Sequence, residues 1–268
     1  EGSQHCQKGT PEFLGRVLAR ARGLTKRGLL LRLDSGNDAI DNIAVVEAHN
    51  EQHPDALPVR YIIKWNPRQE SREQWLAHAE EHAEWVEPRP GKCVATFDVI
   101  VQREDADYAY SLRRVMRVVE RTIDKHGQHL LVPEVEIEGW WTSLWADPED
   151  IIALYADHGS SEQFHSEFKT DLDIERLPSG KFATNALVLA CAQLAYNLLR
   201  WIGLSALLGP DAPVRHKAKR RRLRTVMQEL MYLAARLIRT GRRLKLSFGW
   251  RCPALPVFRR VYAQLAST

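Results

Sequence analysis

Two short apolar runs do most to limit the fold: LLLRL at Leu29 to Leu33, and PVRYIIKW at Pro58 to Trp65. Turn residues bound each one, Gly28 and the DSG sequence around the first, Asn66 and Pro67 after the second, so each reads as a buried strand. Asp34 then stands at the C-terminal end of the first strand, and Asp38 reads as the cap of a helix reaching about Asn50. Upstream, Thr10, Pro11 and Glu12 start a helix whose Phe13, Leu14, Val17, Leu18 and Ala21 form an apolar face ending at Gly23. Helix, strand, helix, strand is an α/β order.

Ser71 with Gln74 makes a capping box for a helix to about Val86, after which the texture changes. Cys93 to Arg103, Leu112 to Thr122 and His129 to Ile137 alternate, are rich in Val and are separated by turn-like breaks, which predicts an antiparallel β insertion. Asp147, Pro148 and Glu149 start the next helix, and beyond ERLPSG the chain reads as mostly helical to its end. Ala183 to Leu208 is apolar almost all round but carries Gln193, Asn197 and Arg200, which predicts a buried helix and no membrane span. Val214 to Thr240 is basic at its front and apolar behind.

Charge is divided along the chain. From Arg200 to Thr268 there are 16 Lys and Arg against only Asp211 and Glu229, a net of +14, whereas the first 199 residues hold 22 basic and 32 acidic residues, a net of −10. That asymmetry favours a polyanion, nucleic acid first, for the C-terminal part. Its peak is RHKAKRRRLR, Arg215 to Arg224, where Arg220, Arg221 and Arg222 are candidate phosphate contacts; a solvated helix face is the plain alternative. Cys6, Cys93, Cys191 and Cys252 lack paired spacing, which argues against a structural zinc site or a disulfide framework and for a reducing cytoplasm. The chain opens on Glu1 and its first methionine is Met116, so the sequence reads as lacking an N-terminal segment.

In YADHGSSEQFHSEFK, Tyr155 to Lys169, the residues Tyr155, His158, Glu162 and Lys169 fall on one polar stripe of a continuous helix, which an ordinary amphipathic surface helix would also produce. Together with Asp34 the stretch resembles the DDE transposases of bacterial insertion sequences, in the group whose signature runs Tyr, two residues, Arg, three residues, Glu, six residues, Lys. QHCQKGTPEFL, LLLRLDSGNDA and DIERLPSGKFATNAL extend the similarity over nearly the whole chain. The resemblance implies a ribonuclease H-like core in which Asp34 and Glu162 are the second and third catalytic carboxylates. They would hold two Mg²⁺ (or Mn²⁺) ions that activate water or a 3′ hydroxyl. It implies that Tyr155, the residue at 158 and Lys169 hold phosphates of the transposon end, and that the β insertion contacts DNA. Trp140, Trp141 and Trp145, at the exit of that insertion, could receive a flipped base or pack in the core.

The sequence departs from the pattern twice. His158 replaces the signature Arg, and an ordinary imidazole is mostly neutral at pH 7, so the phosphate clamp becomes conditional. There is also no Asp before Asp34, so the first carboxylate and the first three core strands are expected to be missing, as in the C-terminal portion of a transposase from a truncated copy. The expected class is α/β, an incomplete ribonuclease H-like core with an antiparallel β insertion and a helical, basic C-terminal region. The expected divisions are residues 1–68, second part of the core; 69–146, insertion; 147–210, the Glu162 helix and a core-packing helix; and 211–268, the basic region. Expected partners are transposon ends and target DNA, with a homodimer and no membrane, in the bacterial cytoplasm at the nucleoid. A catalytically dead DNA-binding remnant and a metal-dependent nuclease without strand transfer are the rival readings.

Overall fold

The computed structural model describes residues 7–68, 70–104, 108–157, 159–210, 212–213 and 216–266, and the chain divides into two compact units, residues 1–158 and 159–268.

The first unit is built on a six-stranded mixed sheet. Helix α1 (Thr10–Leu24) carries Pro at its start, then come β1 (Leu29–Leu33), a 3-10 turn at Ser35–Asn37, α2 (Ile40–Gln52) and β2 (Val59–Lys64). Helix α3 (Arg72–His82) begins at Ser71, whose hydroxyl accepts the Gln74 N–H at 3.4 Å, the serine half of the expected capping box. The helix stops earlier than Val86, because Trp85–Arg89 forms strand β3. Three long strands follow, β4 (Lys92–Glu104), β5 (Ala109–Ile123) and β6 (His129–Thr142), then α4 (Pro148–Ala156).

Strand order is β1-β2-β6-β5-β4-β3. β1 and β2 run parallel, with Leu33 beside Ile63, and β6 joins β2 antiparallel, with Ile63 beside Trp141. The three alternating segments of the predicted insertion therefore continue the same sheet through β2. β1 lies at one edge, and among the described residues its outer side has no strand partner.

The pleat sorts this unit into layers, since neighbouring side chains on a strand face opposite ways. Tyr61, Ile63, Trp65 and Trp141 pack with Leu18, Ile43 and Val46 on the α1 and α2 face. Ile62, Val115 and Trp140 pack with Ile151 of α4 on the other. Trp140 and Trp141 are thus consecutive yet both buried, one in each layer, whereas Trp145 is exposed. Asp38 does not cap α2; Ala39 holds that position, and Asp38 is buried.

The β3–β4 turn depends on Gly91, whose φ is +71° and whose absent Cβ would collide with the Ile123 side chain. Gly91→Ala is expected to cost about 1–3 kcal/mol of stability, from overpacking and a strained backbone. A thermal melt within error of wild type would refute this.

The second unit contains α5 (Gly159–Ser166), a π-helical turn at Glu167–Asp171, α6 (Phe182–Ala206), α7 (Leu223–Val226) with a second π turn at Met227–Met231, a hairpin of β7 (Ala235–Thr240) and β8 (Arg243–Phe248), and α8 (Leu255–Ala266). Its core joins Leu199, Ala206, Leu207, Leu223, Val226, Met227, Val257 and Val261. Two expectations are corrected here. The chain is not helical to its end, because ARLIRT and RLKLSF alternate around Gly241 and pair as a hairpin. Nor is α6 a buried helix: Leu199, Gly203 and Ala206 are its buried residues, and Leu187, Leu194 and Leu198 are exposed. By length and composition alone α6 could cross a membrane.

Candidate active site

Asp34 follows β1 directly and precedes the 3-10 turn; it is exposed, and its Oδ1 accepts a 2.7 Å hydrogen bond from the Asn37 amide. Leu29, Leu31 and Leu33 pack toward α1 and α2, so alternation turns Arg32 toward the α4 face, while Asp34, just past the strand, is bonded through Asn37, whose side-chain oxygen also accepts from Thr10 of α1 at 3.4 Å. Arg32 confirms that direction by donating to the Leu154 carbonyl at 2.7 Å, one residue before Tyr155. The carboxyl ends of the parallel strands and the end of α4 therefore meet on one face.

Tyr155 is half-buried there, its ring 6.1 Å from that of Trp140. Lys64, which follows Ile63, the partner of Leu33, sits 4.0 Å over the Trp140 ring and 5.9 Å from the Tyr155 ring. Its ammonium pairs with Glu138, which also accepts from Arg117. Burial pulls the Lys64 pKa down more than the Glu138 contact pushes it up. Burial pushes Glu138 up in turn, but its hydrogen bonds from Lys64 and Arg117 outweigh that and hold it below the ordinary carboxylate value. Sequence reading missed Lys64; the available signal was a charged residue closing an otherwise buried strand.

On the α1 and α2 face, Asp38 binds Arg103 at 2.8 Å and accepts the Asn66 N–H at 2.8 Å. It fastens the β1 and β2 ends to β4, so its oxygens are engaged by the protein, whereas Asp34 remains exposed. Nearby Arg68 holds a φ of +45°, uncommon for a long side chain, and donates to the Asp38 carbonyl.

The continuous polar stripe expected from Tyr155 to Lys169 is interrupted. α4 ends at Ala156, α5 starts at Gly159, and the division between units falls between them. Glycine costs helix stability at this place, and the π turn after Ser166 shifts the later register. Tyr155 therefore belongs to the first unit, and Glu162 and Lys169 to the second. Glu162 lies on α5 with its side chain outside the described residues, as is the whole of His158, and Lys169 is exposed in the π turn.

The arginine run is not helical: Arg222 precedes α7 in extended backbone. Arg220 pairs with the buried Glu167 and donates to the Gln163 side chain at 2.9 Å. Arg221 donates to the Leu207 carbonyl at 2.8 Å. Arg222 donates to Asp171 at 2.9 Å and to the Ser166 and Thr170 hydroxyls at 3.0 Å each. These bonds tie the run to the α5 end and to α6.

Among the described residues, no group of three or more His, Cys, Asp or Glu side chains is gathered to hold a metal ion. The exposed Asp34 carboxylate offers oxygen, the donor atom that hard divalent cations take.

The mixed sheet with helices on both faces is compatible with a ribonuclease H-like fold. The chain matches the family described as transposase DDE domain group 1 over residues 1–268, and it belongs to that family. No curated protein matches it. The family supports transposase function, implies DNA binding and generally uses divalent metal ions.

Proposed function

We propose that the chain supplies the second and third carboxylates, Asp34 and Glu162, of an insertion-sequence transposase that cuts DNA at the element's ends and joins them to target DNA. The observation that carries the reading is Asp34: an exposed carboxylate directly after β1, at the carboxyl end of a parallel strand pair whose neighbouring residues Arg32 and Lys64 reach Leu154 and the Tyr155 ring. Crevices at such strand ends are where α/β sheets bind ligands. Mg²⁺ or Mn²⁺, when bound, would polarise the phosphodiester and lower the pKa of the attacking water or 3′ hydroxyl. Asp34 and Glu162 would be its carboxylate ligands. Tyr155, His158 and Lys169 would hold phosphates of the transposon end, Lys169 as a point charge and His158 only when protonated. The complete assembly would be a homodimer on its DNA.

Two carboxylates cannot hold a shared pair of ions as three can, and the sequence has no Asp before Asp34. The chain by itself is therefore expected to bind duplex DNA and leave it uncut in Mg²⁺ or Mn²⁺. Metal-dependent nicking that disappears in both Asp34→Ala and Glu162→Ala would overturn that expectation and make the chain a self-sufficient nuclease. Uncut DNA is also what a binding remnant would give. Binding of Mn²⁺ in the presence of DNA, followed by electron paramagnetic resonance, separates the two: a signal that vanishes in Asp34→Ala supports a retained ligand, and a signal equal in both proteins supports the remnant.

A further inference from the structure

We infer that the β7–β8 hairpin is a duplex-DNA-binding arm, held on phosphates by Arg236, Arg243 and Lys245; this rests on the DNA-binding part of the proposed function. The cross-strand pairs sort the hairpin into two faces. Arg236 opposite Ser247, Ile238 opposite Lys245 and Thr240 opposite Arg243 make one face basic and polar. Ala235 opposite Phe248, Leu237 opposite Leu246 and Arg239 opposite Leu244 make the other largely apolar. The Phe248 ring packs 5.0 Å from that of Phe258 on α8, so the apolar face is the one turned toward α8 at the hairpin's base, and the basic face points away.

Four observations identify the occupant of the basic face. Both strands are exposed over nearly their whole length. The side chains of Arg236, Arg243 and Lys245 make no ion pair or hydrogen bond with the described residues, in contrast to those of Arg220, Arg221 and Arg222, whose donors go to the protein's own acceptors. The sequence has no Asp or Glu after Glu229, so nothing nearby along the chain neutralises them. Finally, a two-stranded ribbon is one of the few elements narrow enough for the major groove, which is about 12 Å wide. Arg243 and Lys245 are two residues apart on one strand, so their side chains leave the ribbon about 7 Å apart on the same side. A polyanion with regularly spaced charges fits this face, and contacts of this kind carry no base information.

The test is fluorescence anisotropy of the full chain on a random-sequence duplex, with affinity followed as KCl is raised. Each phosphate that a substitution leaves without its cation should make the slope of log K against log salt shallower by about 0.9, so Arg236→Gln, Arg243→Gln and Lys245→Gln together should remove about 2.7. The charge-conserving pair Arg236→Lys and Arg243→Lys should keep the wild-type slope. If the triple variant fails to fold, the single variants read the same quantity at about 0.9 each. Wild-type binding with an unchanged slope in the variants sinks the hairpin assignment and leaves DNA binding itself standing. A wild-type chain that does not bind duplex DNA at low salt sinks both. Binding of the wild type to anionic vesicles in preference to duplex DNA also overturns the proposal.

Discussion

Replacing Arg114 with alanine is expected to lower the melting temperature of the first unit by on the order of 10 °C. The side chain is 3% exposed and lies between three indoles, its guanidinium carbon 4.9 Å from the Trp65 ring, 4.6 Å from Trp75 and 4.7 Å from Trp141. Two of its nitrogens meet the two Glu70 oxygens at 2.9 and 3.0 Å, and those oxygens also accept from the Trp75 and Trp65 indoles. Truncation removes a desolvated cation–π cluster and a bidentate pair and leaves a hole among the rings, a cost of about 3–5 kcal/mol. Arg114→Met refills the hole without the charge and should recover part of that cost. Equal damage from Met and Ala would show that packing contributes nothing.

Glu70 gives the same cluster a pH signature. Burial pushes its carboxyl up, but Arg114 and the two indole N–H groups outweigh burial, and its pKa falls below the ordinary 4.5. A depressed carboxylate contributes stability above its unfolded pKa, and that contribution fades as pH falls through the folded value. The stability gap between wild type and Glu70→Gln should accordingly be full at pH 6 and close below about pH 4.5. Glu70 is 43% exposed, so the gap should be smaller than the Arg114→Ala effect.

Arg220→Ala should be comparably severe in the second unit. Glu167 is 1% exposed, and removal of its guanidinium partner leaves a buried carboxylate uncompensated, which costs about 3–5 kcal/mol. Calorimetry should show the drop in stability, and Glu167→Leu in the Arg220→Ala background should restore much of it, because two well-packed apolar groups often replace a buried pair without penalty. An unchanged melting temperature, with a salt slope for DNA shallower by about 0.9, would place Arg220 on a phosphate instead.

The elements near Asp34 were legible because short apolar runs between turn residues have few alternatives: β1 falls on Leu29–Leu33 as expected, and β2 within one residue of each predicted end. Asp38 was misread because a cap and a buried ion-pair anchor use the same residue type in the same place, and Arg103, its partner, lies 65 residues away. Long-range pairing also hid the continuity of the sheet, since the contact between β2 and β6 has no local signature. The hairpin is masked for a different reason: its alternation lies inside a basic stretch, where charge density is highest at Arg220, Arg221 and Arg222, whose acceptors only the folded chain brings near. The Tyr155 to Lys169 spacing did not produce one continuous helical stripe, because an order of residues along the chain survives a break at Gly159 that a helical face does not.

The placement of the tryptophans gives the molecule a built-in optical label. Trp65, Trp75, Trp85, Trp140, Trp141 and Trp145 all lie in the first unit, and the guanidinium between three of them puts a cation against their excited-state dipoles. The second unit has Trp201 and the almost fully exposed Trp250, whose emission resembles that of indole in water already in the native state. A red shift of the emission maximum on denaturation therefore reports the sheet unit nearly alone, while far-ultraviolet ellipticity, weighted toward α6 and α8, reports more of the other. Two transitions that separate between these optical channels would measure how independently the sheet and the basic helical unit melt.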